Sequence, residues 1–358
     1  MKITQVMLSG GWGGAERLFV ELCTGLARSG HEVQAICRSS FARGSMLSAI
    51  PGIALKTVPA RGNWDFLSAK RIEKSILSFS PQVIHSHLSR ATWMAGKAGK
   101  KLDIPVVTTT HNRIKSKYFK DVDYFSTITE DLRHYLIDCG INEDRVKTIP
   151  NFSRFTPVSF PPPITREPPV FISFGRFVQK KGYRHLIEAF ARFSSERVLS
   201  KLLIGGNGPL EDTLRNLAMD LGLKDQVEFC GWVEDVEEFL QRGDIFVLPS
   251  LDEPFGIVVL EAMARGKPIV STVTSGPAEI LDDSTAYFAR PGDSQDLYEA
   301  MSTAAEDSTG RDQKAQRALD IFKSKYTLEK ILPIFTDYYS SIASGMTRES
   351  ENPKNPQV

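Results

Sequence analysis

The chain has 358 residues, of which 41% are hydrophobic and 24% charged, proportions that exclude an intrinsically disordered or fibrous protein and predict two domains of ordinary size. It contains no run of about eighteen apolar residues and does not open like a secretion signal, so we expect a cytoplasmic protein without a spanning helix. The first 150 residues hold 21 Lys+Arg against 13 Asp+Glu, a charge of +8, which the remainder offsets to a total of +1, so the first half should attract anions.

The four cysteines are far apart and form no Cys-x-x-Cys pair. This spacing predicts neither a zinc site nor a disulfide framework. We expect all four to be free thiols packed in the cores.

Strand and helix patterns alternate from the first residue onward. The run "KITQVML" is followed by "GAERLFVELCTGLARSG", in which Leu18, Leu22 and Leu26 recur every four residues, and then by "HEVQAIC". This alternation is typical of βαβ units and a parallel sheet. Four further strands are predicted at "IALKTVP", "QVIHSHL", "IPVVTTTH" and "YFSTIT", and a seventh at "RVKTIP".

A proline-rich segment interrupts this alternation. The segment "TPVSFPPPITREPP" contains six prolines, which are incompatible with continuous helix or an interior strand. We therefore predict a first domain at 1–157, a linker at 158–169, a second domain at 170–327, a helix near 328–344 and a disordered tail at 345–358. The second domain repeats the pattern in "VFISFGR", "KLLIGGNG", "QVEFCGW", "DIFVLPS", "KPIVST" and "AYFAR".

The predicted fold class is α/β, with two Rossmann-like, doubly wound parallel-sheet domains. Ligands of such sheets bind beyond the carboxyl ends of the strands. We therefore expect a deep cleft across which the two domains face each other.

The stretch "EPFGIVVLEAMARGKPIV" predicts an anion site. Pro254 is a favoured first helical residue, so the backbone amides of Phe255, Gly256 and Ile257 should lie unpaired at the positive end of a helix. Glu253 and Glu261 are eight residues apart, so they could lie on one side of the helix and flank that site. Carboxylates there would suit hydroxyl groups on either side of a phosphate, although an N-terminal capping glutamate with an ordinary surface glutamate is the alternative.

A basic pair follows the first strand of the second domain. In "FGRFVQKKG", Arg176 and Lys181 lie at a strand end beside Gly175 and Gly182. Two cations at this position could neutralise a diphosphate leaving group. A solvated loop is the alternative for the pair taken alone.

Several motifs together resemble glycosyltransferase family 4, whose members are retaining enzymes with the GT-B fold. The resemblance extends to about residue 340 and is carried by "GGAERL", "GRFVQKKGYRHLIEAF", "LLIGGNGPLEDTL", "VEFCGWV" and "LPSLDEPFGIVVLEAMARGKPIVSTVTSGPAEIL". It implies that a sugar is transferred from a nucleotide-diphosphate donor with retention at the anomeric carbon. A GT-B protein would also pack its C-terminal helix on the first domain.

The resemblance also implies roles for individual residues in donor binding. Arg176 and Lys181 would hold the donor diphosphate, and Glu261 would accept hydrogen bonds from ribose hydroxyls. Glu253, with the amides of Phe255, Gly256 and Ile257, would contact the transferred sugar and its phosphate. The glycine loop with Gly13 and Gly14 would close on the phosphates, and Val233 would meet the base through its backbone.

Histidines and basic residues are the candidates on the acceptor side. His111 matches the histidine that contacts the transferred sugar, so His111, Glu253, Arg176 and Lys181 form the predicted catalytic set. His87 could serve the acceptor or pack in the core. The basic cluster after His111 predicts an anionic glycan or lipid-linked acceptor, such as lipopolysaccharide core, at the inner face of an anionic membrane; it consists of Arg113, Lys115, Lys117 and Lys120.

No metal and no cofactor beyond the nucleotide-sugar co-substrate is expected, because the cations and the helix terminus would do the work of a magnesium ion. No nucleic-acid partner is predicted. A nicotinamide-dependent oxidoreductase is disfavoured, because the first glycines do not form Gly-x-Gly-x-x-Gly and Cys37-Arg38 stand where an acidic residue is expected. A sugar-nucleotide epimerase and a non-catalytic sugar-nucleotide-binding subunit remain the alternatives.

Overall fold

The computed structural model describes residues 1–62, 65–197 and 199–345, which form two compact units. Of the described residues, the first unit consists of Met1–Phe152 and the chain from Leu328 to Gly345, and the second of Ser153–Thr327. The proline-rich segment 158–169 therefore belongs to the second unit. The predicted tail lies outside the described residues from residue 346 onward.

The first unit is built on a seven-stranded parallel sheet with the order β3-β2-β1-β4-β5-β6-β7. Its strands are β1 (Lys2–Met7), β2 (Glu32–Arg38), β3 (Ile53–Val58), β4 (Val83–His87), β5 (Val106–Thr110), β6 (Tyr124–Thr127) and β7 (Val146–Thr148). Its helices are α1 (Gly14–Arg28), α2 (Gly44–Ser48), α3 (Phe66–Phe79), α4 (Leu88–Leu102), α5 (Glu130–Asp138) and, at the end of the chain, α13 (Leu328–Ala343).

The second unit is built on a six-stranded parallel sheet with the order β10-β9-β8-β11-β12-β13. Its strands are β8 (Phe171–Phe174), β9 (Leu202–Gly205), β10 (Val227–Phe229), β11 (Ile245–Leu248), β12 (Ile269–Thr272) and β13 (Tyr287–Ala289). Its helices are α6 (Tyr183–Glu196), α7 (Glu211–Asp220), α8 (Val236–Gln241), α9 (Ile257–Ala264), α10 (Ser275–Ile280), α11 (Ser294–Glu306) and α12 (Ser308–Lys325).

Hydrophobic periodicity explains why these segments form these elements. The predicted stripe of Leu18, Leu22 and Leu26 is buried on the sheet-facing side of α1. Strands β4 and β5 are buried along their whole length, as expected for central strands covered on both faces. Each of the thirteen strands forms where a short β-branched or aromatic run predicts it.

The strand order determines where each unit can bind a ligand. In each sheet the order reverses beside the first strand, between β1 and β4 and between β8 and β11. Crevices form beyond the carboxyl ends of the strands at such switch points. In the first unit, the glycine loop follows β1 and His87 is the last residue of β4. In the second unit, the loop with Arg176 follows β8 and the loop with Glu253 follows β11.

The C-terminal helix α13 packs against α1 of the first unit. A β-carbon on Gly25 of α1 would lie 3.2 Å from side-chain carbons of both Leu328 and Leu332, so glycine permits this close approach. Farther along α13, Tyr339 is fully buried. This helix thus contributes side chains to the interior of a unit whose other elements precede it by more than 170 residues.

The prediction that all four cysteines pack in the cores is wrong for two of them. All are free thiols, and Cys23 and Cys37 are buried. Cys139 is exposed at the C-terminal cap of α5, and Cys230 is partly exposed after β10. Both lie at the ends of elements, where the apolar sequence around them does not guarantee burial.

Candidate functional site

In the second unit, Lys181 and Glu253 form an ion pair although they are 72 residues apart in sequence. Lys181 ends a short 3-10 helix, Gln179–Lys181, after β8. Glu253 is only 7% exposed, and Ser250 donates a hydrogen bond of 3.5 Å to the same carboxylate oxygen. The two loops are also joined by the backbone, because the amide of Leu251 donates to the carbonyl of Lys180 at 2.7 Å.

Arg176 lies in the same loop as Lys181 but is exposed. Its guanidinium makes no hydrogen bond or ion pair with any residue that the structure describes. An exposed guanidinium in the same loop as a partly buried ion pair can bind a phosphate bidentately without first breaking an internal contact.

The amino-terminal end of α9 differs from the prediction. Pro254 is not its first residue, because Gly256 adopts a left-handed conformation with φ +95° and the helix begins at Ile257. The first amides of α9 are not satisfied within the helix, so this end keeps the character of an anion site. The loop before it is held by α10, where the amide of Gly276 donates to the carbonyl of Glu253 at 3.0 Å.

The prediction that Glu253 and Glu261 lie on one side of the same helix is therefore wrong. Glu253 precedes the helix, and the left-handed Gly256 between the two residues breaks the helical spacing. Glu261 lies within α9 and is 3% exposed. The two carboxylates occupy different elements, and only Glu253 is paired with Lys181.

Glycines bring the loop after β9 against the loops after β8 and β10. A β-carbon on Gly208 would lie 2.9 Å from the carbonyl carbon of Phe177, and Gly206 donates its amide to the carbonyl of Gly231 at 2.6 Å. Val233 is partly buried where a β-carbon on Gly205 would overlap it. The sequence "GGNG" is typical of such a close approach, but the sequence analysis assigned these glycines no role.

In the first unit, the glycine loop enters α1 as predicted for an anion site. Gly13 is the extended N-cap, and α1 begins at Gly14. The amide of Gly13 donates to Oε2 of Glu16 at 3.0 Å. Gly13 is thus already satisfied by a carboxylate, whereas the first amides within α1 are not satisfied by the helix.

His87 and His111 meet at the carboxyl ends of β4 and β5. Nδ1 of His87 lies 3.3 Å from Nε2 of His111. His87 is completely buried, so an acceptor cannot contact it in this arrangement, whereas His111 is partly exposed. Burial lowers the pKa of His87 well below its ordinary value and that of His111 to about 4, so both rings are neutral near pH 7.

Three buried polar residues to which the sequence analysis assigned no role are connected to this pair. Gln5 of β1 accepts from Nε2 of His87 at 2.9 Å, and its amide nitrogen donates to the hydroxyl of Tyr339 at 3.1 Å. Nδ1 of His85 lies 2.6 Å from the same hydroxyl. Gln5 could have been found as a polar residue inside the apolar strand "KITQVM", whereas no local signal points to Tyr339.

The basic cluster after His111 is only partly available to a ligand. Arg113 is paired with Asp131 through contacts of 2.9 and 3.1 Å and lies 5.5 Å from the ring of Tyr135. Its charge is therefore compensated within the unit. The lysines of the cluster, Lys115, Lys117 and Lys120, are exposed.

Asp121 and Asp123, which have the Asp-x-Asp spacing of a metal-binding motif, are both engaged in structural contacts. Asp121 pairs with Lys100 at 3.0 Å, and Asp123 accepts from the amide of Val106 at 2.9 Å. Among residues 1–62, 65–197 and 199–345, no group of three or more His, Cys, Asp or Glu side chains is arranged to bind a metal ion. Within the same ranges, every helix is too short or too polar to cross a membrane.

Comparisons with known proteins agree with this architecture. Residues 12–152 match the family described as Glycosyltransferase Family 4, and residues 156–320 match Glycosyl transferases group 1. The lipopolysaccharide core biosynthesis glycosyltransferase LpsE of Rhizobium meliloti (strain 1021) is 29% identical over 346 residues, covering 95% of this chain and 99% of that protein. A second lipopolysaccharide core biosynthesis glycosyltransferase of that organism, LpsD, is 28% identical over 339 residues, covering 91% of this chain and 95% of LpsD.

Solved structures share the fold. Anabaena HepE in complex with UDP and glucose has a TM-score of 0.82 at 21% identity and covers 95% of this chain and all of that one. The apo form of the lipopolysaccharide outer core galactosyltransferase WaaB has a TM-score of 0.76 at 19% identity, with the same coverage. The two Rossmann-like parallel sheets are therefore those of the GT-B fold. From the family matches and the relatives aligned over nearly its full length, we conclude that the chain is a glycosyltransferase belonging to the group 1 and family 4 glycosyltransferases.

Proposed function

We propose that this glycosyltransferase moves a hexosyl group from a nucleotide-diphosphate sugar to a glycan or lipid-linked acceptor, with retention at the anomeric carbon and without a metal ion. The observation that carries the proposal is the ion pair of Lys181 with Glu253 beside the amino-terminal end of α9, with the exposed Arg176 in the same loop as Lys181. This combination offers cations for a diphosphate and a carboxylate for a sugar hydroxyl.

The chemistry follows from the charges. As the bond to the anomeric carbon breaks, negative charge grows on the departing diphosphate. Arg176, Lys181 and the first amides of α9 would stabilise that charge, which is the work a magnesium ion does elsewhere. Glu253 would keep Lys181 in place while accepting a hydrogen bond from the transferred sugar.

Replacing Lys181 tests this assignment. Removing one charge-assisted donor from a leaving-group site costs about 10²–10³ in rate, so Lys181→Ala should lower kcat/KM by that factor with the best donor of a UDP-, GDP- and ADP-hexose panel. Lys180→Ala is the matched control, because the neighbouring lysine is exposed and has no ion pair within the described residues. Equal activity of the two variants would contradict the assignment.

The same assay separates the proposed enzyme from its alternatives. Donor binding without transfer or hydrolysis would indicate a non-catalytic sugar-nucleotide-binding subunit, and a donor converted to its epimer would indicate an epimerase. For a transferred sugar, the anomeric proton coupling of the product distinguishes retention from inversion. Activity that disappears in excess EDTA would contradict the metal-independent mechanism.

For the acceptor, we propose an anionic, lipid-linked glycan of lipopolysaccharide or another cell-surface polysaccharide, reached at the inner face of the membrane. Two relatives named as lipopolysaccharide core biosynthesis glycosyltransferases support the class of acceptor. The charge of +8 on residues 1–150 supports an anionic partner.

An exposed surface on α3 and α4 supports attachment to an anionic membrane. At the start of α3, Phe66 and Leu67 are 70% and 74% exposed. Phe66 borders a shallow groove of about 710 Å³ between the two helices, which five lysines also line, among them Lys120 of the basic cluster. Three of these lysines are paired with carboxylates of the groove, Lys97 and Lys100 with Asp121 and Lys101 with Glu73. We call this the α3–α4 surface: Phe66, Leu67, Lys70, Lys97, Lys100, Lys101 and Lys120.

Liposome co-sedimentation tests this attachment. Each basic residue near an anionic surface contributes on the order of 1 kcal/mol, so binding to vesicles rich in anionic lipid should weaken as salt rises. The double change Phe66→Ser and Leu67→Ser should weaken it further by removing the apolar contact. Met219→Ser, at an exposed apolar residue of α7, is the control. If neither added salt nor the double change alters the fraction of protein that sediments with the vesicles, an acceptor free in solution is favoured.

A further inference from the structure

Buried polar side chains form one continuous hydrogen-bonded chain through the sheet of the first unit. It begins at His111, passes through His87 and Gln5 to Tyr339, and continues through His85. Beyond His85, Nε2 of that ring lies 2.7 Å from the hydroxyl of Thr109, which lies 2.6 Å from that of Ser126. We call these seven residues the relay.

The amide of Gln5 determines the direction of the relay. Its oxygen can only accept, so Nε2 of His87 must carry the proton in their 2.9 Å contact. A neutral imidazole has one N–H, and His87 is neutral because burial lowers its pKa. Nδ1 of His87 is therefore an acceptor, and Nε2 of His111 must donate to it across 3.3 Å.

The other half of the relay is consistent with the same direction. The amide nitrogen of Gln5 donates to the hydroxyl of Tyr339, which in turn donates to Nδ1 of His85. His85 then carries its proton on Nε2 and donates to Thr109, whose own hydroxyl donates to Ser126. Every member from His111 to Thr109 donates once, and no two donors face each other, so turning any single group would leave a buried polar atom unsatisfied.

We propose that Gln5, His87 and Tyr339 are positioning residues that leave Nδ1 of His111 as the hydrogen-bond acceptor presented to a hydroxyl of the transferred sugar. His111 carries its single proton on Nε2, so its other nitrogen has only a lone pair to offer. That nitrogen makes no hydrogen bond with any residue in the described ranges. The part concerning the sugar hydroxyl rests on the role proposed for His111; the proton position does not.

The relay also gives α13 a role in the site. Tyr339 is the only contribution of α13 to the relay among the residues that the structure describes, and it is 228 residues from His111 in sequence. Without its hydroxyl, the amide of Gln5 loses the partner that orients it. His87 then meets either the oxygen or the nitrogen of that amide, and His111 is free to adopt both tautomers.

The experiment is nitrogen-15 NMR of histidine-labelled protein, which reports which ring nitrogen carries the proton. His111→Asn identifies the His111 signals by their loss. We expect the parent protein to show the proton on Nε2 of His111, and Tyr339→Phe to shift these signals towards the average of two tautomers. Where transfer is measured, kcat should fall about two- to tenfold in Tyr339→Phe, as expected for one lost orienting hydrogen bond.

Tyr338→Phe is the matched control. Tyr338 is the preceding residue of α13 and is also buried, and its hydroxyl, like that of Tyr339, has two hydrogen-bond partners: it donates to the carbonyl of Phe125 at 3.0 Å and to that of Arg145 at 3.4 Å. It should therefore lower stability by a similar amount without moving the His111 signals. Gln5→Met breaks the relay from β1 and gives an independent comparison should Tyr339→Phe fold poorly.

Two results would overturn the proposal. One is a parent spectrum with the proton of His111 on Nδ1, and the other is a His111 spectrum unchanged by both Tyr339→Phe and Gln5→Met. The NMR measurement needs no sugar nucleotide. A protein with the expected tautomer but no transferase activity would therefore refute the proposed function and leave the relay standing.

Discussion

Replacing Gly182 with alanine should disturb the loops that bring Lys181 to Glu253. Gly182 has φ +67°, in the left-handed region, and is the N-cap of α6. An added β-carbon would lie 2.9 Å from the carbonyl carbon of Pro249 and closer still to its oxygen, whereas real β-carbons essentially never come within 3.0 Å of another heavy atom. Because the obstacle is backbone, it cannot rotate away, and the two loops must separate.

The size of the effect follows from two contributions. A left-handed alanine costs about 1–2 kcal/mol, and overpacking against the loop after β11 adds roughly 1–3 kcal/mol. The sum is roughly 2–5 kcal/mol. In a unit of this size each kcal/mol lowers Tm by about 2–4 °C, so Gly182→Ala should lower it by roughly 4–20 °C.

Gly222→Ala is the matched control for Gly182→Ala. Gly222 has φ +73° but nothing lies within 4 Å of its added β-carbon, so it carries the left-handed cost alone, and a Tm loss of about 2–8 °C is expected. Circular dichroism melts of both variants measure the difference, and calorimetry with the best donor measures the accompanying loss of affinity at Lys181. Equal Tm losses in the two variants would refute the reasoning.

Two further predictions concern histidines and cysteines of the first unit. Burial lowers the pKa of His85 to about 3 and of His111 to about 4, against 6.5 in the unfolded chain, so the unfolded chain binds more protons below pH 6.5. The free energy of unfolding should therefore keep its full value above pH 6.5 and decrease as the pH falls below 6.5, by on the order of 2 kcal/mol per histidine at pH 5. Equal urea midpoints at pH 7 and pH 5 would contradict this. A thiol reagent should label the exposed Cys139 in the native protein but neither Cys23 nor Cys37, because both are buried and burial raises the pKa of Cys37 to about 12. Mass spectrometry of labelled peptides checks this, and native labelling of Cys37 would count against the core described for α1 and β2.

The sequence by itself determined the strands, the fold class and most of the candidate positions. Short β-branched runs alternate with helical periodicity, and both are local patterns that burial on a parallel sheet requires. The loops after β8 and β11 could be named as candidate sites for the same reason, because ligands bind beyond the carboxyl ends of parallel strands. Gly13, Arg176 and Glu253 were accordingly found from their places at strand ends.

Local patterns failed where the backbone leaves regular geometry. Pro254 predicts a helix start, but the left-handed Gly256 delays it to Ile257, and a positive φ has no unambiguous sequence signal. Eight-residue spacing between two glutamates is meaningful only within one continuous helix. Exposure of Cys139 was missed because it depends on where α5 ends.

Only the tertiary structure decided which polar groups meet. Lys181 and Glu253 are 72 residues apart, and the hydrogen bond between Gln5 and Tyr339 spans 334 residues. Compensation of Arg113 by a carboxylate on α5 likewise depends on how that helix packs. Burying a polar group costs free energy unless the group forms a hydrogen bond or ion pair in the folded chain, and this cost selects the partners. No local stretch of sequence specifies which distant residue the partner will be.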